Sequence, residues 1–286
     1  GRGRPDRNPA YPPGKRSFRF RENSGSTATA AVILTTDVGN SHTVVGLWQD
    51  STLLQTLRLS TESRRTADEW RILLSAWLAS VGHKPAIAQA AFCSVVPAAS
   101  AALSEAVGAL GAKEPLWLSS ASKLNFAFDY PQKQTLGSDR IADMIAASHY
   151  FGKHCIVVDF GTAITFSVLT DNVFQGGVIA PGITSSLEAL FSSTAKLPKI
   201  AFHKTAHGIG KSTVEAIEIG AYVGWRGVVR EILAEIRREL PQNGAQHTVV
   251  ATGGISESLD FAAEFFDAVD KNLTLKGLYL AIQAAS

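Results

Sequence analysis

Apolar residues along the chain follow two alternating periods. Residues 31–37, 42–49 and 53–60 are apolar runs joined by the short polar stretches DVGNS and QDS. Runs of this kind bounded by turn residues predict strands, and connections this short predict an antiparallel meander. Residues 66–81, TADEWRILLSAWLASV, change to helical spacing, with Trp70, Leu73, Leu74, Trp77 and Leu78 on one face. A strand at 87–94, a helix at about 98–110, a short strand near 116–118, the loop-like LNFAFDYPQKQTLGSDR and a helix at about 139–151 follow. The second half begins again with strands at 154–160, 163–170 and 173–179. Helices near 184–193 and 213–239, a strand at 247–252, and helices near 257–268 and 273–284 complete it. Three strands, helix, strand, helix thus occurs twice, which predicts a duplicated α/β fold with a ligand cleft between the copies.

The polar positions that interrupt this pattern carry the candidate chemistry. The first strand ends in Asp37, followed by Gly39, Asn40 and Ser41; the strand at 154–160 ends in Asp159, followed by Gly161 and Thr162. Glycine lets the chain turn sharply and brings backbone N–H groups close to an anion. An Asp beside such a turn would repel phosphate unless a cation stood between them, so the pair of features predicts Mg²⁺ with a nucleotide. Alone, each is also an ordinary turn; two copies at matching places in a repeated fold point to one phosphate group held from both sides. Gly253-Gly254, after the apolar TVVAT, clears side chains from a place where a flat ring could lie, and is otherwise a strand-to-helix turn. Gly208-Ile209-Gly210-Lys211-Ser212-Thr213 resembles the end of a phosphate-binding loop, but Thr205 stands where its first glycine belongs. Ser212-Thr213-Val214-Glu215 reads instead as a capping box opening the long helix. Gly137-Ser138-Asp139-Arg140 opens another helix; Ser138 or Asp139 could cap it, and Asp139 with Arg140 could handle a hydroxyl and a developing anion.

Composition narrows the setting. The 286 residues are 45% hydrophobic and 18% charged, enough for a full core, and no apolar run approaches the length of a membrane span. Residues 1–30 carry a net +5 against +2 for the whole chain, so the remainder sums to −3. The positive balance belongs to this Gly-, Pro- and Arg-rich stretch, which reads as a disordered basic extension or an appended remnant, and it is poor support for a nucleic-acid surface. Cys93 and Cys155 lie in strand-like runs and read as buried reduced thiols of a cytoplasmic protein. The seven histidines show no paired-ligand spacing.

The Asp-Gly turns resemble those of the actin–hexokinase–Hsp70 superfamily of ATP-binding proteins. More specifically, DVGNSHTVVG, SVVP (94–97), the YP at 130–131, GSDR (137–140), VVDFGTAIT, FQGGVIAPG (174–182), TAKLP (194–198), GKSTVEAIEIG and LTLKGL (273–278) resemble type III pantothenate kinase and its close relative, the Bvg accessory factor group, over about residues 31–283. The resemblance implies duplicated actin-like (ribonuclease H-like) ATPase domains, 31–148 and 149–286, with a nucleotide cleft between them. It implies phosphorylation of pantothenate by ATP, the first step toward coenzyme A. The loop Asp37, Val38, Gly39, Asn40, Ser41, His42, Thr43 and Val44 would be the first ATP phosphate site, with Asp37 toward the Mg²⁺ of the nucleotide. Gly161 and Thr162 would form the second, and Gly253 and Gly254 would lie beside adenosine. Asp139 would be the base for the pantothenate hydroxyl, with Tyr130, Gly137, Ser138 and Arg140 lining the substrate pocket. Asp159 would hold a monovalent cation, K⁺ or NH₄⁺. Thr194 would reach pantothenate across a homodimer interface. Ser41 stands where the family usually has Thr, and Ser138 where it usually has Ala; no carboxylate is lost. A nucleotide-binding regulatory protein of the accessory-factor type, without kinase activity, is the alternative.

Overall fold

The computed structural model describes residues 32–285 apart from 84–85, 113, 195–196, 199 and 242–244. The basic stretch 1–30 and residues 195–196 of TAKLP therefore lie outside the described residues.

Strands β1 (Val32–Val38), β2 (His42–Gln49), β3 (Thr52–Ser60), β4 (Ile87–Ser94) and β5 (Leu116–Trp117) form one sheet in the order β3-β2-β1-β4-β5. The expected meander is antiparallel, and β4 and β5 extend the sheet in parallel. The second sheet has the order β11-β10-β7-β8-β9-β6. It is built from β6 (Ala127–Phe128), β7 (Cys155–Phe160), β8 (Ala163–Thr170), β9 (Val173–Pro181), β10 (Thr248–Thr252) and β11 (Ala268–Val269). With β7 in the place of β1, the order β9-β8-β7-β10-β11 repeats the first sheet strand for strand, parallel and antiparallel pairings included. The duplication read from the hydrophobic pattern is therefore a duplication of topology.

Helices cover both faces of each sheet. Trp70, Leu74 and Leu78 of α1 (Ala67–Ser80) and Ala99 and Leu103 of α2 (Pro97–Ala109) pack on Leu34 and Val38 of β1. The other face meets α3 (Ser138–Phe151) and α7 (Leu273–Ala285), and these two helices also pack on Val157 and Val250 of the second sheet. The central core thus joins both halves. α3 and α7 approach so closely that a Cβ on Gly277 would lie 2.5 Å from the carbonyl carbon of Ala142. The outer face of the second sheet is closed by α5 (Thr213–Glu239), through Val229 and Leu233, with α4 (Ile183–Ser192) beside it. Ser212 caps α5 by accepting the N–H of Glu215 at 3.2 Å, one half of the capping box read from the sequence; the Glu215 carboxylate accepts the N–H of Lys211 at 2.6 Å instead of that of Ser212.

Two expectations change. The helix expected near 257–268 is a 3-10 turn at Ser256–Ser258, a four-residue helix α6 (Ala262–Phe265) and then β11. Leu259, Phe261 and Phe266 are all buried in the outer core. The carboxylate of Asp267 accepts the N–H of Val249, and Ala268 pairs with Val250. Sheet extension and burial of these side chains override helical propensity here. The loop expected at 124–140 contains β6, whose backbone ties to Asn172 and Phe174 and places Tyr130 beside β9.

Candidate active site

Asp37 and Asp159 occupy equivalent places at the ends of β1 and β7. Asp37 pairs in register with Val44, and Asp159 with Thr165. In the first turn the Gly39 N–H donates to the His42 carbonyl at 3.0 Å; in the second, one residue shorter, the Gly161 N–H donates to the Ala163 carbonyl at 3.0 Å. The two turns meet at their tips, where the hydroxyls of Ser41 and Thr162 are 2.9 Å apart. Ser41 therefore supplies the contact its position requires.

The N-terminal end of α3 points a third carboxylate at this junction. Gly137 is the N-cap, and a Cβ on it would collide with the Asp139 carboxylate. Asp139 Oδ1 accepts the Arg140 N–H at 2.8 Å. Ser138 does not cap the helix: its hydroxyl accepts the Ser94 N–H at 3.0 Å and ties α3 to the end of β4. Burial, and then the charge of Asp139, push the carboxyls of both Asp37 and Asp159 up to about 7. Asp37 also accepts the thiol of Cys93 at 3.3 Å. Burial first, and then Asp37, raise that thiol well above its usual range, so it remains a donor. Asp143, one helical turn beyond Asp139, is buried and accepts the Thr274 hydroxyl at 2.8 Å. Burial and Asp159 push it well upward too. Crowded carboxyls beside two glycine turns have the chemistry to hold a cation and a phosphate together.

A second group lies next to α3. Arg140 is nearly buried, with Nε donating to Ser167 Oγ at 2.9 Å, Nη2 donating to the Phe166 carbonyl at 3.3 Å and the guanidinium 5.5 Å from the Phe174 ring centroid. Gly177 gives it room, since a Cβ there would be 2.7 Å from Nη2. Tyr130 meets Phe174 edge-on at 5.5 Å and lies beside Gly176, whose φ of +119° favours glycine. The FQGG stretch thus brings Tyr130 and Arg140 to one ring. Burial lowers Arg140, against the opposing charge of Asp139.

Gly253 and Gly254 close β10 next to this junction. Gly253 has φ +95°, and a Cβ on it would be 2.6 Å from the Phe160 nitrogen; a Cβ on Gly254 would be 2.6 Å from Arg58 Nη1. Thr252 pairs in register with Asp159, and its buried hydroxyl has no hydrogen-bond partner among the described residues. Thr194 stands apart: exposed after α4, it donates to the Leu190 carbonyl at 2.8 Å. Among the described residues no group of three or more His, Cys, Asp or Glu side chains forms a metal cluster.

Sequence reasoning missed Arg58, Asp143, Ser167 and Thr252. Asp143 was accessible from its four-residue spacing to Asp139 on one helix. The other three are brought in by sheet register, for which the chain carries no local signal.

Residues 33–235 match the family model for type III pantothenate kinase. The type III pantothenate kinase of Brevibacillus brevis is 38% identical over 253 residues, covering 87% of this chain and 97% of its own length. Among solved structures, one described as a Baf family transcriptional activator from Campylobacter jejuni is 21% identical, with 88% of this chain and 98% of that chain covered and a TM-score of 0.55. The activator of 2-hydroxyisocaproyl-CoA dehydratase from Clostridium difficile, solved with bound ADPNP, is 10% identical, with 89% and 96% covered and a TM-score of 0.50. At these identities the structures establish the fold alone, a duplicated α/β architecture, while the family model and the curated relatives establish the lineage. The chain belongs to the type III pantothenate kinase family.

Proposed function

We propose that this protein transfers the γ-phosphoryl group of ATP to the primary hydroxyl of pantothenate, giving ADP and 4′-phosphopantothenate. The observation that carries the reading is the convergence of Asp139 on two facing Asp-Gly turns whose tips touch through Ser41 and Thr162. Phosphoryl transfer is largely positioning and charge stabilisation. The two turns position the triphosphate, Asp139 orients the pantothenate hydroxyl and takes its proton, and Tyr130 and Arg140 bound the pocket that receives the rest of pantothenate. The hydroxyl oxygen bonds to the γ-phosphorus as the bond to the bridging oxygen of ADP breaks.

The residues present fit two cations. Asp37 would hold the Mg²⁺ of the nucleotide; Asp159, with the orphaned Thr252 hydroxyl opposite it, would hold K⁺ or NH₄⁺. When bound, they neutralise phosphate charge. Buried free thiols suit a reducing, cytoplasmic setting, and no described helix is long and apolar enough to cross a membrane.

ADP release from purified protein with MgATP is expected to need pantothenate and to be strong in KCl and weak in NaCl. No pantothenate-dependent ADP release in either salt, from folded protein, would sink the kinase reading and favour the regulatory one. Equal rates in the two salts would sink the monovalent site alone.

The reading also includes a homodimer. Leu187, Leu190 and Phe191 of α4 and Ile217 of α5 line an apolar groove, and Leu190 in it is exposed. Apolar surface of this kind suits an interface, and Thr194, bonded to the carbonyl of Leu190, would complete a partner's pocket. Light scattering is expected to give twice the chain mass, and Leu190→Asp to give a monomer that no longer saturates with pantothenate. A wild-type monomer with full activity would refute the dimer.

A further inference from the structure

β3 is the outer strand of the first sheet, and its Arg58 pairs in register with Val44, which pairs in turn with Asp37. Directly opposed residues of neighbouring antiparallel strands share a face. Arg58 therefore stands on the face that carries the Asp37 carboxylate, two strands away. Its side chain is exposed, yet it crosses to the other half of the molecule. The guanidinium lies over Gly254, in the turn after β10, where a Cβ would be 2.6 Å from Nη1 and closer still to Nη2. Its charge reaches the first turn as well. It opposes the burial that raises Asp37 and adds to the burial that lowers His42.

Four other surface arginines are spent on carboxylates: Arg71 on Asp68, Arg226 on Glu264, Arg230 on Glu231 and Arg238 on Glu235. Arg58 makes no hydrogen bond or ion pair with any described residue. A planar fork of donors is thus held between the Asp37 turn and the Gly253-Gly254 turn with nothing in its grip. The shape and charge match two oxygens of one phosphate, the bidentate geometry that guanidinium supplies and ammonium does not. Gly254 acquires a reason beyond space for a ring: any side chain there would displace this guanidinium.

Building on the ATP reading above, we propose that Arg58 is a specificity-determining residue for the nucleotide, its fork engaging the β-phosphate of ADP and ATP from the N-terminal sheet. The residue reads the second phosphate and thereby separates nucleoside di- and triphosphates from the monophosphate. It also links the two halves through the ligand, because the fork belongs to the first sheet and its glycine seat to the second.

Calorimetric titration of AMP, ADP and ATP, with Mg²⁺, into wild type, Arg58→Lys and Arg58→Gln tests this. A charged hydrogen-bond pair lost to neutral glutamine is expected to weaken ADP and ATP by about 10- to 100-fold. AMP affinity is expected to stay within about twofold, and Arg58→Lys to fall between, keeping charge without the fork. In turnover, KM for ATP rises in Arg58→Gln while KM for pantothenate is unchanged. Unaltered ADP affinity in Arg58→Gln, or an AMP loss as large as the ADP loss, would overturn the assignment; the second result would make Arg58 a residue of the nucleoside site or of the fold. The wild-type titration separates the two readings. Wild type that binds no adenine nucleotide overturns both, whereas wild type that binds ADP and Arg58→Gln that binds it equally well overturns this one alone.

Discussion

Asp139→Ala is expected to lower kcat by about 10²- to 10⁴-fold, the usual worth of a positioned general base, with MgATP affinity retained. The split follows from where the carboxylate is held. Asp139 belongs to the first turn of α3, fixed by the Arg140 N–H, and it is part of neither phosphate turn. Its removal leaves Gly39, Gly161 and the Ser41–Thr162 contact in place. It also removes the charge that, after burial, most raises Asp37 and Asp159. Those two carboxyls then ionise more readily, so cation and nucleotide binding should hold or tighten. Turnover from ADP release and MgATP affinity from calorimetry on the same preparation decide the matter. Unchanged turnover would refute the base. A tenfold loss of MgATP affinity would instead place Asp139 among the nucleotide ligands. Asp139→Asn keeps the shape and a hydrogen-bonding oxygen, so its loss should be nearly as large.

The elements that could be read from the chain are those whose signal is local. Alternation and turn residues located β1 to β4 and β7 to β10, and helical spacing located α1, α2, α3 and α5 to within a few residues. The repeat was legible because both halves use the same order of periods. What was illegible depends on partners remote in sequence. Residues 257–268 read as one helix, but the core takes Phe261 and Phe266 at the two ends of the four-residue α6, and β11 needs β10 to exist. The site divides in the same way. Asp37, Asp159 and Gly161 announce themselves by standing where apolar runs stop, and Asp139 by opening a helix. Ser167 is one hydroxyl in a strand until Arg140 reaches it, and Thr252 is one until Asp159 is set across from it. Arg58 looks like a solvated charge on an edge strand; only the fold carries it over Gly254.

Asp159→Asn is expected to make the ligand-free protein more stable at pH 8 while removing its response to K⁺. Burial, Asp139 and Asp37 push Asp159 up to about 7, from an ordinary carboxylate range near 4. The sign follows from linkage. Between about pH 4 and about 7 the unfolded chain releases this proton and the folded chain keeps it. Folding stability from this group therefore falls as pH rises through that window and stays low above it. A neutral amide escapes the penalty, so the gain over wild type is small near pH 5 and full at pH 8. Three pKa units would amount to about 4 kcal/mol for an isolated group; with the strain shared among Asp37, Asp143 and Asp159, about 1–3 kcal/mol is expected. In a chain of this size that is a rise in Tm of about 2–5 °C. Potassium should raise the Tm of wild type above its value in equal NaCl and leave Asp159→Asn unchanged. Thermal unfolding at pH 5 and pH 8 in the two salts measures all of this. A mutant less stable than wild type at pH 8 would mean that the Asp159 carboxylate is held by favourable contacts and that the crowding inferred from its neighbours is wrong. A mutant that gains stability yet keeps the full potassium response would place the monovalent site elsewhere. The combination expected, a sturdier fold that no longer responds to potassium, is the signature of a carboxylate kept in an unfavourable place for the cation it binds.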